Sequence, residues 1–198
     1  MISDINSFFD STYIKYKSDF YKCSKDKHNN KTCVYCVTNT TDCFDFDEIK
    51  NSFDRNLKSV DSLFFSNKIS SICFIEFKNK DMMKDHSYEG IGKKGSDSLF
   101  IFTTICANNS LNYNDDQALY VCVFSYDKTS SDYDYRYFIN AIIKAKVQEE
   151  DDFLQYNNKV KSRVECKMRE NYPTLNYLYS KYKILLSNNF DNFVTSIK

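Results

Sequence analysis

Residues 58–80 read KSVDSLFFSNKISSICFIEFKNK, two apolar runs separated by a polar break at Ser66, Asn67 and Lys68. Aromatic and β-branched residues bounded by a polar turn predict a β-hairpin. Three charged residues interrupt it: Asp61, Glu76 and Lys78. A charge in a buried strand is costly unless it is paired or bound to metal, so any fold of this chain must accommodate these three. Strand side chains alternate, which puts Glu76 and Lys78 on one face. With Asn67 and Lys68 as a two-residue turn, Asp61 falls opposite Phe74 and shares that face. One side of a sheet is thus expected to gather two carboxylates and an amine.

Two carboxylates can hold a magnesium ion while leaving positions for water and phosphate. The metal acidifies a water and neutralises charge developing on a phosphoryl group. An adjacent lysine can orient or deprotonate that water, or stabilise the transition state.

The spacing D-x14-E-x-K across a hairpin resembles the PD-(D/E)xK, or restriction-endonuclease-like, nuclease superfamily, including its small bacterial and phage members. Val60 and Asp61 stand where the family often has Pro-Asp, and Glu76, Phe77 and Lys78 form the (D/E)xK element. The resemblance covers residues 44–126. It implies an α/β (α+β) fold whose core is a mixed β-sheet, with the hairpin flanked by helices. It also implies metal-dependent hydrolysis of phosphodiester bonds in DNA or RNA. Asp61, Glu76 and the Phe77 carbonyl would hold Mg2+ or Mn2+, and Lys78 would position the attacking water. The helix before the hairpin often adds an acid, for which Glu48 is the best match and Asp45 the alternative. A lysine before the next helix, Lys94 with Lys93 beside it, would meet phosphate. The alternative is a binding protein that keeps the fold without catalysis, such as a phage or mobile-element protein acting on a host defence system. A homodimer would let two sites cut two strands.

A length of 198 residues suits one domain. It divides into an N-terminal helix and cysteine-containing loop (1–43), the nuclease-like core (44–126) and a C-terminal helical extension (127–198). Lys and Arg balance Asp and Glu at 27 each, which argues against a long nonspecific nucleic-acid footprint. The first residues lack a basic start and an apolar run, and no apolar stretch is long enough to span a membrane. The expected setting is intracellular and cytoplasmic, where cysteines serve as thiols or metal ligands.

Taken in order, Ile5, Phe8, Phe9 and Tyr13 have helical spacing. Residues 23–43 form a polar loop in which Cys23, Cys33, Cys36 and Cys43 could bind structural zinc, the other reading being free thiols. Residues 44–56 predict a helix with Ile49 and Phe53 on one face, capped by Asp45 or Asp47. The loop after the hairpin holds all three glycines and His86. Residues 96–110 predict a helix capped by Ser96, with Leu99, Phe102, Ile105 and Cys106 inward. Residues 118–126 predict a buried strand. The spacing predicts a helix from 134 to about 172, with a break near 149–152, in which Lys159, Arg163 and Lys167 form a basic stripe, either a solvated helix face or one suited to a phosphate backbone. A last helix over 174–187 would bury Leu175, Leu178, Tyr182 and Leu185, and 188–198 would form a turn or fray.

Overall fold

The hairpin forms as β5 (Ser62–Ser66) and β6 (Ser71–Lys78), but the connection runs through four residues, 67–70, rather than two. Ser70 takes a positive φ of 49° there. The register pairs Leu63, not Asp61, with Phe74, a slip of two positions from the expected pairing. A shift of two preserves which residues share a face, whereas a shift of one would have reversed it. Asp61, just ahead of β5, therefore keeps the predicted face and comes level with Glu76.

The computed structural model describes residues 2–28, 32–80, 90–125, 128, 179 and 181–198. The expected helix over 134–172, its basic residues Lys159, Arg163 and Lys167, and His86 lie outside the described residues.

Six of the described strands form a mixed sheet flanked by helices, an α+β arrangement. Its order is β1 (Lys17–Asp19), β4 (Asp42–Asp45), β5, β6, β7 (Ala118–Phe124) and β8 (Lys181–Leu186). The β1, β4, β5 and β6 neighbours are antiparallel, while β6–β7 and β7–β8 are parallel. The parallel β6–β7 pair is bridged by α4 (Ile91–Asn108), the helical crossover that such a pair requires.

Alternation divides the core between the two faces. Leu63, Phe65, Ile72, Phe74, Tyr120 and Phe124 pack with α1 (Ile2–Thr12), α3 (Phe46–Phe53) and α4. Cys73, Ile75, Phe77, Val121 and Val123 pack with Phe20 of α2 (Phe20–Cys23) and with the C-terminal helix α5 (Phe190–Ile197). Aromatic rings knit each side: Phe102 of α4 meets Phe74 edge-on at 5.4 Å and stacks on Phe9 at 5.7 Å. On the other face Phe190 meets Phe77 at 5.5 Å and Phe20 at 5.1 Å.

The helix expected over 96–110 begins earlier, at Ile91. Its cap is Gly90 with φ 79°, a left-handed conformation that glycine adopts without a Cβ penalty, rather than Ser96. Leu99, Phe102, Ile105 and Cys106 are buried as expected, joined by Ile91, Gly95 and Ser98 along the same stripe. In α3, Asp45 is the N-cap, accepting from the Glu48 N–H at 3.0 Å. Ile49 is buried but Phe53 is exposed, contrary to the shared face expected for them.

Two regions differ more substantially from the sequence reading. Residues 181–186, expected to be helical, form β8: pairing with β7 from Leu119–Lys181 to Phe124–Leu186 supplies the backbone partners. In KYKILL, Ile184 and Leu186 also satisfy strand alternation, so tertiary pairing decides between two periods that both fit. Residues expected to fray instead form α5, with Phe190, Phe193, Val194 and Ile197 buried at helical spacing. The expected polar loop over 23–43 holds the end of α2, the hairpin of β2 (Lys25–His28) and β3 (Thr32–Tyr35), and the start of β4. Among the described residues no helix is long and apolar enough to cross a membrane.

Candidate active site

Asp61 is held in place from three directions. Its carbonyl accepts from the Phe46 N–H at 3.2 Å, where α3 begins. The segment leading to it is fixed by α4: Ser98 Oγ accepts from the Val60 N–H at 2.8 Å, and Asp97 accepts from the Lys58 N–H at 2.9 Å. Its own Oδ2 accepts from the Phe77 N–H at 2.6 Å. This last bond joins the start of β5 to the end of β6 and brings the aspartate beside Glu76.

Glu76 is fully buried. Its Oε2 accepts from Lys94 Nζ at 2.9 Å, and the same ammonium lies 3.2 Å from Asp61 Oδ1. Lys78 Nζ stands 2.8 Å from Glu76 Oε1. Each of the two buried Glu76 oxygens thus faces a lysine ammonium. These groups lie in a cleft of about 190 Å3 bounded by residues 23–26, the end of β6 through Lys80, Asp61 and Lys94. Lys25, Lys78, Lys80 and Lys94 line it together with Asp26, Asp61 and Glu76, so charges of both signs meet there.

The structure thus brings together Asp61, Glu76, Lys78 and Lys94, and the Phe77 backbone joins them through its N–H. Glu48 is not with them: it is exposed on α3. The α3 acid whose charge acts on both Asp61 and Lys94 is Asp47; it accepts from Ser59 Oγ and does not line the cleft. Asp45, the alternative, is occupied as a cap. Lys93 is exposed and pairs with Asp97 at 2.9 Å. No local signal separates Asp47 from Glu48, because both suit the first turn of a helix and only the docking of α3 decides which is half-buried.

The four cysteines suggested as a zinc set are dispersed. Cys23 and Cys43 bring their Sγ atoms to 3.7 Å, Cys36 directs its thiol at the carbonyls of Lys78 and Val123, and Cys33 is exposed on β3. Among the described residues no group of three or more His, Cys, Asp or Glu side chains is gathered for a metal ion. Burial pushes the Cys36 thiol up to about 12, leaving it protonated and unreactive at neutral pH.

Burial and the neighbouring Glu76 charge push the Asp61 carboxyl up to about 8, against the opposing pull of Lys94 and the Phe77 N–H. Burial disfavours the Lys94 charge, but Glu76 and Asp61 outweigh it and hold the ammonium well above the ordinary lysine range. Lys78 is raised in the same way: burial opposes its charge and Glu76 prevails.

The Asp61 shift has a definite consequence for stability. Between about pH 4 and about pH 8 the folded chain retains a proton that the unfolded chain releases, so stability falls as pH rises through this window. The contribution of this group reaches about 1.4 kcal/mol per pH unit. Urea unfolding of the metal-free protein at about pH 6 and about pH 8 should show this loss in the wild type and a flatter dependence in Asp61→Asn. Equal slopes would show that Asp61 titrates normally.

The arrangement suits a cation and a phosphate together. Asp61 Oδ1 and Glu76 Oε2 already converge on one positive charge, the Lys94 ammonium. Such a donor set, all oxygen and partly buried, fits Mg2+ or Mn2+ rather than a thiophilic ion. Compared with known proteins, this chain matches no family model, no curated protein and no solved structure.

Proposed function

We propose that this protein is a metal-dependent nuclease with a restriction-endonuclease-like core, hydrolysing phosphodiester bonds in DNA or RNA. One observation carries the reading: Asp61, Glu76 and Lys78 share a sheet face at the mouth of a lysine-lined cleft, with Lys94 between the two acids. The order hairpin, α4, parallel β7 is consistent with that core.

Asp61 and Glu76 would hold Mg2+ or Mn2+, with Asp47 the α3 acid nearest to them in effect. When bound, the ion supplies a water of lowered pKa and a positive charge for the phosphoryl oxygens. Lys78, fixed by Glu76, holds its ammonium at the cleft and orients the attacking water. Lys25 and Lys80 at the cleft margin attract the phosphate backbone.

A second reading has its own observation. Lys94 already occupies the space between the two acids, as it would in a protein that keeps the fold and binds a protein or nucleic-acid partner without cutting. End-labelled single- and double-stranded DNA and RNA, incubated with Mn2+ or with chelator, distinguish the two. Cleavage that requires Mn2+ supports the nuclease. Intact substrates under every condition reject it and leave the binding protein.

A further inference from the structure

We propose that Lys94 is the resident counter-cation of the acid pair, and that it competes with a divalent metal for Asp61 Oδ1 and Glu76 Oε2. The inference rests on the metal-dependent reading above and concerns how that site is regulated.

The two lysines of the site are placed differently. Lys78 contacts Glu76 Oε1 and projects from β6 with 14% of its side chain exposed. Lys94 bridges the carboxylates, at 2.9 Å from one and 3.2 Å from the other, and is 23% exposed in the cleft. Its backbone is anchored in the first turn of α4, with the Lys94 N–H donating to the Gly90 carbonyl at 2.8 Å. The helix therefore holds the Cα still, while the flexible four-carbon stem can carry the ammonium out through the cleft.

Wherever both groups are ionised, a cation is needed between these oxygens, because two neighbouring carboxylates in a buried site repel one another. Magnesium and its analogues bind oxygen at about 2.1 Å, much closer than an ammonium does. The two cations cannot share the same pair of oxygens. Lys94 thus keeps the metal-free site assembled and lowers its apparent affinity for metal by the fraction of molecules in which the lysine is seated.

Isothermal titration of Mn2+ into wild type, Lys94→Met and the exposed control Lys93→Met tests this. Lys94→Met should bind Mn2+ about tenfold or more tightly than wild type, since removing the competitor removes that tax. Its metal-free melting temperature should fall and recover with Mn2+, and Lys93→Met should match wild type. Equal or weaker Mn2+ binding by Lys94→Met, with wild type still binding, overturns the competition and leaves the metal reading intact. No Mn2+ binding by either protein overturns both.

Should Lys94→Met fail to fold, the wild type provides the measurement. Acylation of Lys94 by an N-hydroxysuccinimide ester, read by mass spectrometry against Lys93, should accelerate when Mn2+ is added. Calorimetric Mn2+ binding without faster Lys94 labelling overturns the inference alone.

Discussion

Glu76→Gln should abolish metal-dependent cleavage and destabilise the protein by about 3–5 kcal/mol, the range for removing one partner from a buried ion pair. The residue is fully buried, and its carboxylate is shared by two ammonium groups, Lys94 at 2.9 Å and Lys78 at 2.8 Å. Glutamine preserves the volume but offers a single acceptor. Whichever way its amide turns, one lysine faces an NH2 group instead of an oxygen. At the sensitivity usual for chains of this size, the loss corresponds to about 10 °C in melting temperature. Pairing the substitution with Lys78→Met should recover part of the loss, since it removes one of the stranded charges. Chemical unfolding of the four-member cycle measures this. A Glu76→Gln protein within about 1 kcal/mol of wild type would mean that the buried carboxylate does not bind the two lysines together.

Lys78→Met is expected to separate chemistry from folding. The substitution should lower cleavage by about 10²–10³-fold, the usual contribution of a charged donor aimed at the reacting groups. Glu76 retains Lys94 as a partner, and Asp61 retains the Phe77 N–H, so the acid pair stays assembled. Mn2+ binding should therefore persist while turnover is lost, which single-turnover kinetics beside calorimetry would show. Cleavage within about twofold of wild type would remove Lys78 from the reaction. It would also leave Lys94 as the lysine to examine next.

Much of this site could be read in the chain, for a specific reason. The prediction that Asp61, Glu76 and Lys78 share a face rested on an assumed two-residue turn, and the actual turn has four residues. The conclusion survived because the change was even, and strand parity is indifferent to an even shift. The inward stripe of α4 was similarly legible, because helical spacing is a property of the segment itself. The acid on α3 was not. Asp45, Asp47 and Glu48 are equivalent as acids at a helix start, and only the packing of α3 sets Asp47 against Ser59 and leaves Glu48 exposed. The Ser98 and Asp97 contacts that fix residues 58–60 were equally invisible, since they join positions about forty residues apart.

Local periodicity by itself determined that this chain builds a hairpin with an acid-rich face, a helix after it and a buried strand to follow. Those features depend on side-chain order within one segment. Docking decided the rest: that 181–186 extend the sheet beside β7, that α5 covers its second face, and that Lys94 seats its ammonium between two carboxylates. Each of those outcomes depends on how separate layers meet, and the energy of a contact between layers is not written in either segment alone.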